Sequence, residues 1–313
     1  MDTNTIDLER GFVRASARQP LRVAVFGATG LLGRAAVDRL RREGRHVVAL
    51  VRTPSEADLP DDVELVAGDI TDRAAVARTI ARADAAHISV SGGHDAARIR
   101  AVEIDGVRAV AELAAAAGHR RVTMISGIFA TAEFASQHPA EAAKLEAEHI
   151  LLSTVPATVF RPGFIADTLS RFVRGGHGML LGTQPHAVRP LVADDLMLSV
   201  SRSYDMPSAA SMRFDAVGTE PMLLSNALRA YLDQVRPDAR IRTIPLPLAR
   251  VADRMILKGT LSRTLSTMSL LQRHGDACEP RAFLETFGAP ATGFASWLAA
   301  LPSSNMERAA APR

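Results

Sequence analysis

Gly27-Ala28-Thr29-Gly30-Leu31-Leu32-Gly33 places three glycines between a short apolar run and an amphipathic one. In that setting Gly27 permits a sharp turn out of a strand, and Gly30 lets the backbone approach a pyrophosphate. Gly33 lets the following helix pack close to the sheet. A helix N-terminus offers free N–H groups and a partial positive charge to the phosphates. The implied chemistry is the binding of a dinucleotide, whose own ring carries the reaction.

The end of the second strand decides which dinucleotide. An acidic residue there would grip the ribose 2'-hydroxyl of NAD, but Arg52 stands there, 19 positions after Gly33. Arg34, in the first helical turn, can add a second cation. A charge-assisted hydrogen bond to a 2'-phosphate contributes roughly 1.5 to 3 kcal/mol, tenfold to more than a hundredfold in affinity, so NADP is expected, with NADPH preferred over NADH. Asp69, in Gly68-Asp69-Ile70, either accepts from the adenine amino group or serves as a loop or N-cap carboxylate. Ser91-Gly92-Gly93 is small enough for ribose and phosphates to pass. His94 beside it reads first as a loop histidine.

These residues need a parallel sheet to hold them. From Leu21, short β-branched runs alternate with amphipathic segments, the pattern of βαβ units. Strands are expected at Val23–Phe26, His46–Val51, Val63–Ala67, Ala86–Ser91, Arg121–Ser126 and Thr158–Arg161. Between them fall helices over Leu31–Glu43, Asp72–Ala81, Ala96–Ala117 and Pro139–Leu152, the last with Glu141, Lys144, Glu146 and Glu148 on its polar side. After Pro162-Gly163 the alternation breaks down. Thr219 reads as the cap of a helix to about Val235, Ile241 to Leu246 as a strand, and Thr292 as the cap of a final helix. The expected fold is α/β: a Rossmann-type doubly wound parallel sheet with a smaller, mainly helical C-terminal substrate region. The boundaries read as a flexible tail over 1–20, an NAD(P)-binding domain over 21–165, a substrate-binding region over 166–301 packed on it, and a flexible tail over 302–313.

Of 313 residues, 47% are hydrophobic and 4% aromatic, with a net charge of +3 and no long basic run. Too few rings are available for stacking single-stranded nucleic acid, so neither nucleic acid nor membrane is expected as a partner, while a small-molecule substrate is and an oligomer stays open. No stretch reaches the ~20 apolar residues of a membrane span, and the start lacks an apolar signal region, which reads as a cytoplasmic protein. The single cysteine, Cys278, forms no internal disulfide. The scattered histidines give no ligand spacing for a metal.

The runs VAVFGATGLLGRAAVDRLRREGRHVVALVRTP, VELVAGDITD, RRVTMISG and TVFRPGFI resemble the atypical short-chain dehydrogenase/reductases, most of all the NmrA-like NAD(P)-binding group. The resemblance covers residues 22 to 165, and FGAPATGFASWL resembles a later element of the same group. It implies that Gly27, Ala28, Thr29, Gly30, Leu31 and Leu32 surround the pyrophosphate. It further implies that Arg52 meets the 2'-phosphate, Asp69 with Ile70 holds adenine, and Ser91 lies near the ribose. Ser126 falls at the active-site end of strand five and Pro162-Gly163 beside the nicotinamide. Hydride-transferring members pair Tyr and Lys as Tyr-x-x-x-Lys, one helical turn apart. Here Lys144 is present but Ala140 stands where the Tyr belongs, so Lys144 is either a ribose ligand or a solvated helix lysine.

Three functions follow as expectations. One is an NADPH-dependent oxidoreductase acting on a small, largely apolar carbonyl, enone, imine or quinone, with Lys144 and Ser126 as its catalytic candidates. The second is a non-catalytic NADP(H)-sensing regulatory or assembly protein, which the missing Tyr favours. The third is a sugar-nucleotide-type epimerase or dehydratase.

Overall fold

The computed structural model describes residues 20–276 and 278–301; the expected tails over 1–20 and 302–313 lie outside the described residues, save Pro20. Six strands follow the expected order: β1 (Arg22–Phe26), β2 (His46–Val51), β3 (Glu64–Ala67), β4 (Ala85–Ile88), β5 (Val122–Ile125) and β6 (Ala157–Pro162). Beyond them come β7 (Val173–Arg174), β8 (His177–Leu181), β9 (Ala187–Val188), β10 (Met212–Ala216), β11 (Met222–Leu223) and β12 (Ile241–Ile244). The first helices are α1 (Leu31–Arg42), α2 (Arg73–Ile80), α3 (Ala96–Ile99), α4 (Gly106–Ala116), α5 (Ala132–Ala135) and α6 (Pro139–Thr154). The rest are α7 (Ala193–Ser203), α8 (Leu224–Val235), α9 (Leu246–Met255), α10 (Ser262–His274), α11 (Arg281–Phe287) and α12 (Phe294–Ala299).

The central sheet runs β10-β6-β5-β4-β1-β2-β3, all parallel. Strand order therefore reverses between β1 and β4, where a crevice opens at the carboxyl ends. Alternation along β1 explains the layers: Val23 and Val25 face one core with α1 and α7, while Ala24 and Phe26 face the other with α2, α4 and α6. A third core, around Leu228, Leu232, Leu265 and Phe294, lies in the C-terminal part.

Five expectations need correction. The sheet has seven strands, not six, because β10 returns from beyond residue 165 to pair with β6. The single helix over Ala96–Ala117 is broken by a π-helical stretch, Arg100–Asp105. Thr219 caps nothing, since α8 begins at Leu224, and Thr292 bonds Asp195 while Gly293 precedes α12. The polar side of α6 is turned partly inward: Glu148 is fully buried between Arg161 of β6 and Arg213 of β10, its oxygens 2.5 to 2.8 Å from their nitrogens.

Candidate functional site

The glycine turn at the end of β1 takes its shape from backbone contacts. Gly27 has φ +89°, and a Cβ there would lie 2.2 Å from the Ser89 carbonyl oxygen. A Cβ on Gly33 would lie 1.9 Å from the Gly27 oxygen, so the helix can approach only with glycine there. Gly30 differs: it is exposed, and its nearest obstacle is 3.4 Å away, an ordinary contact. Nothing among the described residues demands a glycine there, and the position leaves room for close approach from outside. The first turn of α1 carries no acidic residue, so its N–H groups and dipole are free to take an anion.

A cleft of about 500 Å³ lies against this turn, at the carboxyl ends of β1 to β4. Gly27, Thr29, Gly30, Arg52, Asp69, Ile70 and Ser91 all line it, as does His94. Arg52 is exposed, and no carboxylate among the described residues pairs with it. Arg34 is spent elsewhere: its guanidinium donates to the carbonyls of Thr29 (3.2 Å), Ala57 (3.1 Å) and Asp58. It clamps the loop after β2 onto the glycine turn and is not a second free cation.

Asp69 accepts at Oδ1 from the N–H and hydroxyl of Thr71, both at 3.0 Å, and faces Arg98 through Oδ2 at 3.5 Å. Burial pushes its pKa up, but Thr71 and Arg98 outweigh it and hold the carboxyl below the ordinary value. Asp69 therefore presents a carboxylate to the cleft, although part of its acceptor capacity is used within its own loop.

Other expected residues lie off the cleft lining. Ala28 is buried and Leu31 and Leu32 pack their side chains on the core, so main chain is what they offer a phosphate. Lys144 donates from Nζ to the Ser126 carbonyl at 3.2 Å, and the buried Ser126 hydroxyl has no partner among the described residues. Lys144 and Glu103 line a small void that shares the wall residue Val90 with the cleft. Burial lowers the Lys144 pKa, against the raising effect of Glu103 and Glu141. Pro162 is buried, and a Cβ on Gly163 would strike Val217 at 2.9 Å.

Two residues missed in the sequence join the cleft to the C-terminal part. Glu103, on the π-helical stretch, accepts from the Gly92 N–H at 2.7 Å. Arg263, on α10, forks onto both Glu103 oxygens, one at 3.1 Å, and reaches the Gly93 carbonyl at 3.4 Å. A π-bulge often marks a working site, but an Ala-rich run conceals it. Burial pushes Glu103 up, yet Arg263 and Lys144 bring it below the usual range.

Neither tyrosine can serve Lys144. The Tyr204 hydroxyl donates to the Ala86 carbonyl at 3.0 Å and meets Thr123 Oγ1 at 2.8 Å, near the start of β5, while Lys144 binds just past its end. Tyr231 stacks on Trp297 in the C-terminal core. Burial pushes the Cys278 thiol up to about 11, which leaves it no thiolate for nucleophilic work. Among the described residues no helix is long and apolar enough to cross a membrane.

A family model described as NAD(P)H-binding matches residues 27–180, in agreement with the resemblance drawn from the motifs. Uncharacterized proteins of Mycobacterium bovis and Mycobacterium tuberculosis are 34% identical over 108 residues, which is 34% of this chain and 12% of theirs. The chain thus matches only about an eighth of the length of those relatives. Among solved structures, an Escherichia coli NADPH-dependent quinone oxidoreductase complexed with NADPH superposes with TM-score 0.67 at 19% identity, over 88% of this chain and 98% of that one. A Citrobacter sp. triphenylmethane reductase complexed with NADP(H) gives 0.67 at 18%, over 90% and 100%. A nucleoside-diphosphate-sugar epimerase of Staphylococcus aureus gives 0.68 at 18%, over 89% and 99%. At these identities the likeness is one of fold.

Proposed function

Because residues 27–180 of this chain belong to the NAD(P)H-binding family, we propose that it is an NADPH-dependent oxidoreductase acting on a small, largely apolar carbonyl, enone, imine or quinone. The observation that carries the cofactor choice is Arg52: an exposed guanidinium on the cleft wall that meets no carboxylate among the described residues, at the end of β2, where the ribose 2' substituent would lie. Two structural neighbours bound to NADPH or NADP(H) support the same choice. Gly27, Thr29 and Gly30, with main-chain N–H groups of the α1 first turn, would hold the pyrophosphate; Asp69 and Ile70 would hold adenine and Ser91 the ribose.

When bound, the cofactor supplies a hydride; the chain must bind it, orient the acceptor and provide a proton. Lys144 and Ser126, with Pro162 and Gly163, belong in this reading to the nicotinamide end. Lys144 would then position the ribose, and it needs a proton donor other than a tyrosine, since Ala140 occupies that place. The sensor reading has an observation of its own: Lys144 is held by the Ser126 carbonyl and lines a small void beside the cleft, not the cleft itself. The epimerase reading has a neighbour of equal likeness but the same missing hydroxyl.

Anaerobic fluorescence titration with NADPH and NADH, followed by turnover against quinones, enones, imines and aldehydes, separates these readings. NADPH should bind at least about tenfold tighter than NADH, and Arg52→Ala should remove that preference while leaving NADH affinity unchanged. NADPH binding without turnover across the panel would transfer the proposal to the sensor.

A further inference from the structure

Helix α9, in the C-terminal part, carries apolar residues on the side that faces away from the protein. Successive residues of a helix are about 100° apart, so positions two apart lie on opposite sides. Along α9, Leu246, Ala249 and Asp253 are buried, and the residue two places after each, Leu248, Val251 and Met255, is exposed. The exposed stripe continues into the turn, where Ile256 and Leu257 also stand out. Met255 at 76% and Ile256 at 73% exposure project from the surface and do not line a groove.

The segment that carries this stripe is basic. Arg250, Arg254 and Lys258 on it are exposed, as are Arg240 and Arg242 shortly before it in the chain, and Arg250 donates to Ser269 Oγ at 2.9 Å. From 240 to 263 the one carboxylate is Asp253, which is buried and accepts from the Leu261 N–H at 2.8 Å. That bond folds the turn that pushes Ile256 and Leu257 outward and takes the acid out of the surface. Arg254 and Lys258 meet no carboxylate among the described residues.

We propose that α9 and the turn after it form a docking surface for an anionic lipid bilayer. Projecting Leu, Val, Met and Ile side chains enter the headgroup boundary, while flanking cations meet lipid phosphates. A second copy of this chain fits less well, because a two-fold contact would bring Arg254 and Lys258 against their own copies, and residues 240–263 carry no exposed acid to meet them. The inference is independent of the redox reading.

Co-sedimentation of the full chain with phosphatidylcholine vesicles containing one-third phosphatidylglycerol tests it, with pure phosphatidylcholine vesicles alongside. Binding should be confined to the anionic vesicles and weaken with added salt. The double variant R254Q/K258Q should bind about thirtyfold more weakly, and L248Q/V251Q/M255Q should not sediment, both with unchanged circular dichroism. The proposal falls if the anionic vesicles do not pellet the protein or if both variants pellet like the parent. It also falls if the protein ignores lipid and instead forms a dimer, or captures an acidic protein, that the apolar triple variant abolishes.

Discussion

Four arginines stand near the cleft: Arg98 faces Asp69 at 3.5 Å, and hydrogen bonds separate the other three. Arg34 holds main-chain carbonyls, Arg263 is neutralised by Glu103, and Arg52 has neither. Sequence position alone marks Arg52, because its spacing from the glycine turn follows from the length of one βαβ unit. The duties of Arg34 and Arg263 depend on where a loop and a distant helix return, which no local pattern encodes. The same holds for His87 on β4, where an alternating strand conceals a titratable core residue. It is fully buried, its Nδ1 2.9 Å from Thr123 Oγ1 with no partner at Nε2 among the described residues, and burial pushes its pKa down to about 3. The folded state keeps the ring neutral, while the unfolded chain takes up a proton below the ordinary value of about 6.5. Stability is therefore retained above that pH and lost as pH falls from about 6.5 toward 3, at up to roughly 1.4 kcal/mol per pH unit. Urea unfolding at a series of pH values should show this slope, and His87→Asn, whatever its absolute stability, should show a slope shallower by about that amount. Parallel slopes would remove His87 as the cause.

At the scale of elements, the binding half was legible and the joint between halves was not. Strands β1 to β6 declare themselves by β-branched runs and their turns by glycine, since each is a local choice. The run from Ala96 to Ala117 contains no breaker, so periodicity reads it as one helix. The π-helical stretch exists because Glu103 must bond the Gly92 N–H and meet Arg263 of α10, a demand set by tertiary structure. Through Arg263, α10 is tied to the cleft-lining Gly93 and to Glu103 by a largely buried ion pair. Removing one partner of such a pair leaves an uncompensated charge and costs about 3 to 5 kcal/mol, whereas removing both costs much less. Arg263→Leu should accordingly destabilise the protein by about that much in urea unfolding, and Glu103→Gln with Arg263→Leu should recover most of the loss. If the double variant is no more stable than the single, the pair is not what fastens α10 to the cleft.

At the scale of the whole molecule, the change of pattern after Pro162-Gly163 suggests a place to divide the chain, but the core runs across it. Phe160 of β6 packs against Phe214 of β10 and Phe287 of α11, with ring centroids 6.0 and 5.6 Å apart. Leu196, Met197 and Val200 of α7 cover the face of the sheet that α1 covers, and all three are buried. The Arg161–Glu148–Arg213 cluster likewise takes one cation from beyond the boundary. A chain ending at residue 165 would uncover these apolar side chains at roughly 1.5 to 3 kcal/mol each, and would leave β6 an unpaired edge. The net stability of a domain, about 5 to 15 kcal/mol, cannot absorb several such losses. We therefore expect the fragment 1–165 to aggregate, or to keep helical circular dichroism while losing dispersed amide resonances, whereas a chain ending at residue 301 should fold. Cooperative unfolding of 1–165 with native-like dispersion would mean that the nucleotide-binding half stands alone, and that β10, α7 and α11 are additions to a core already complete.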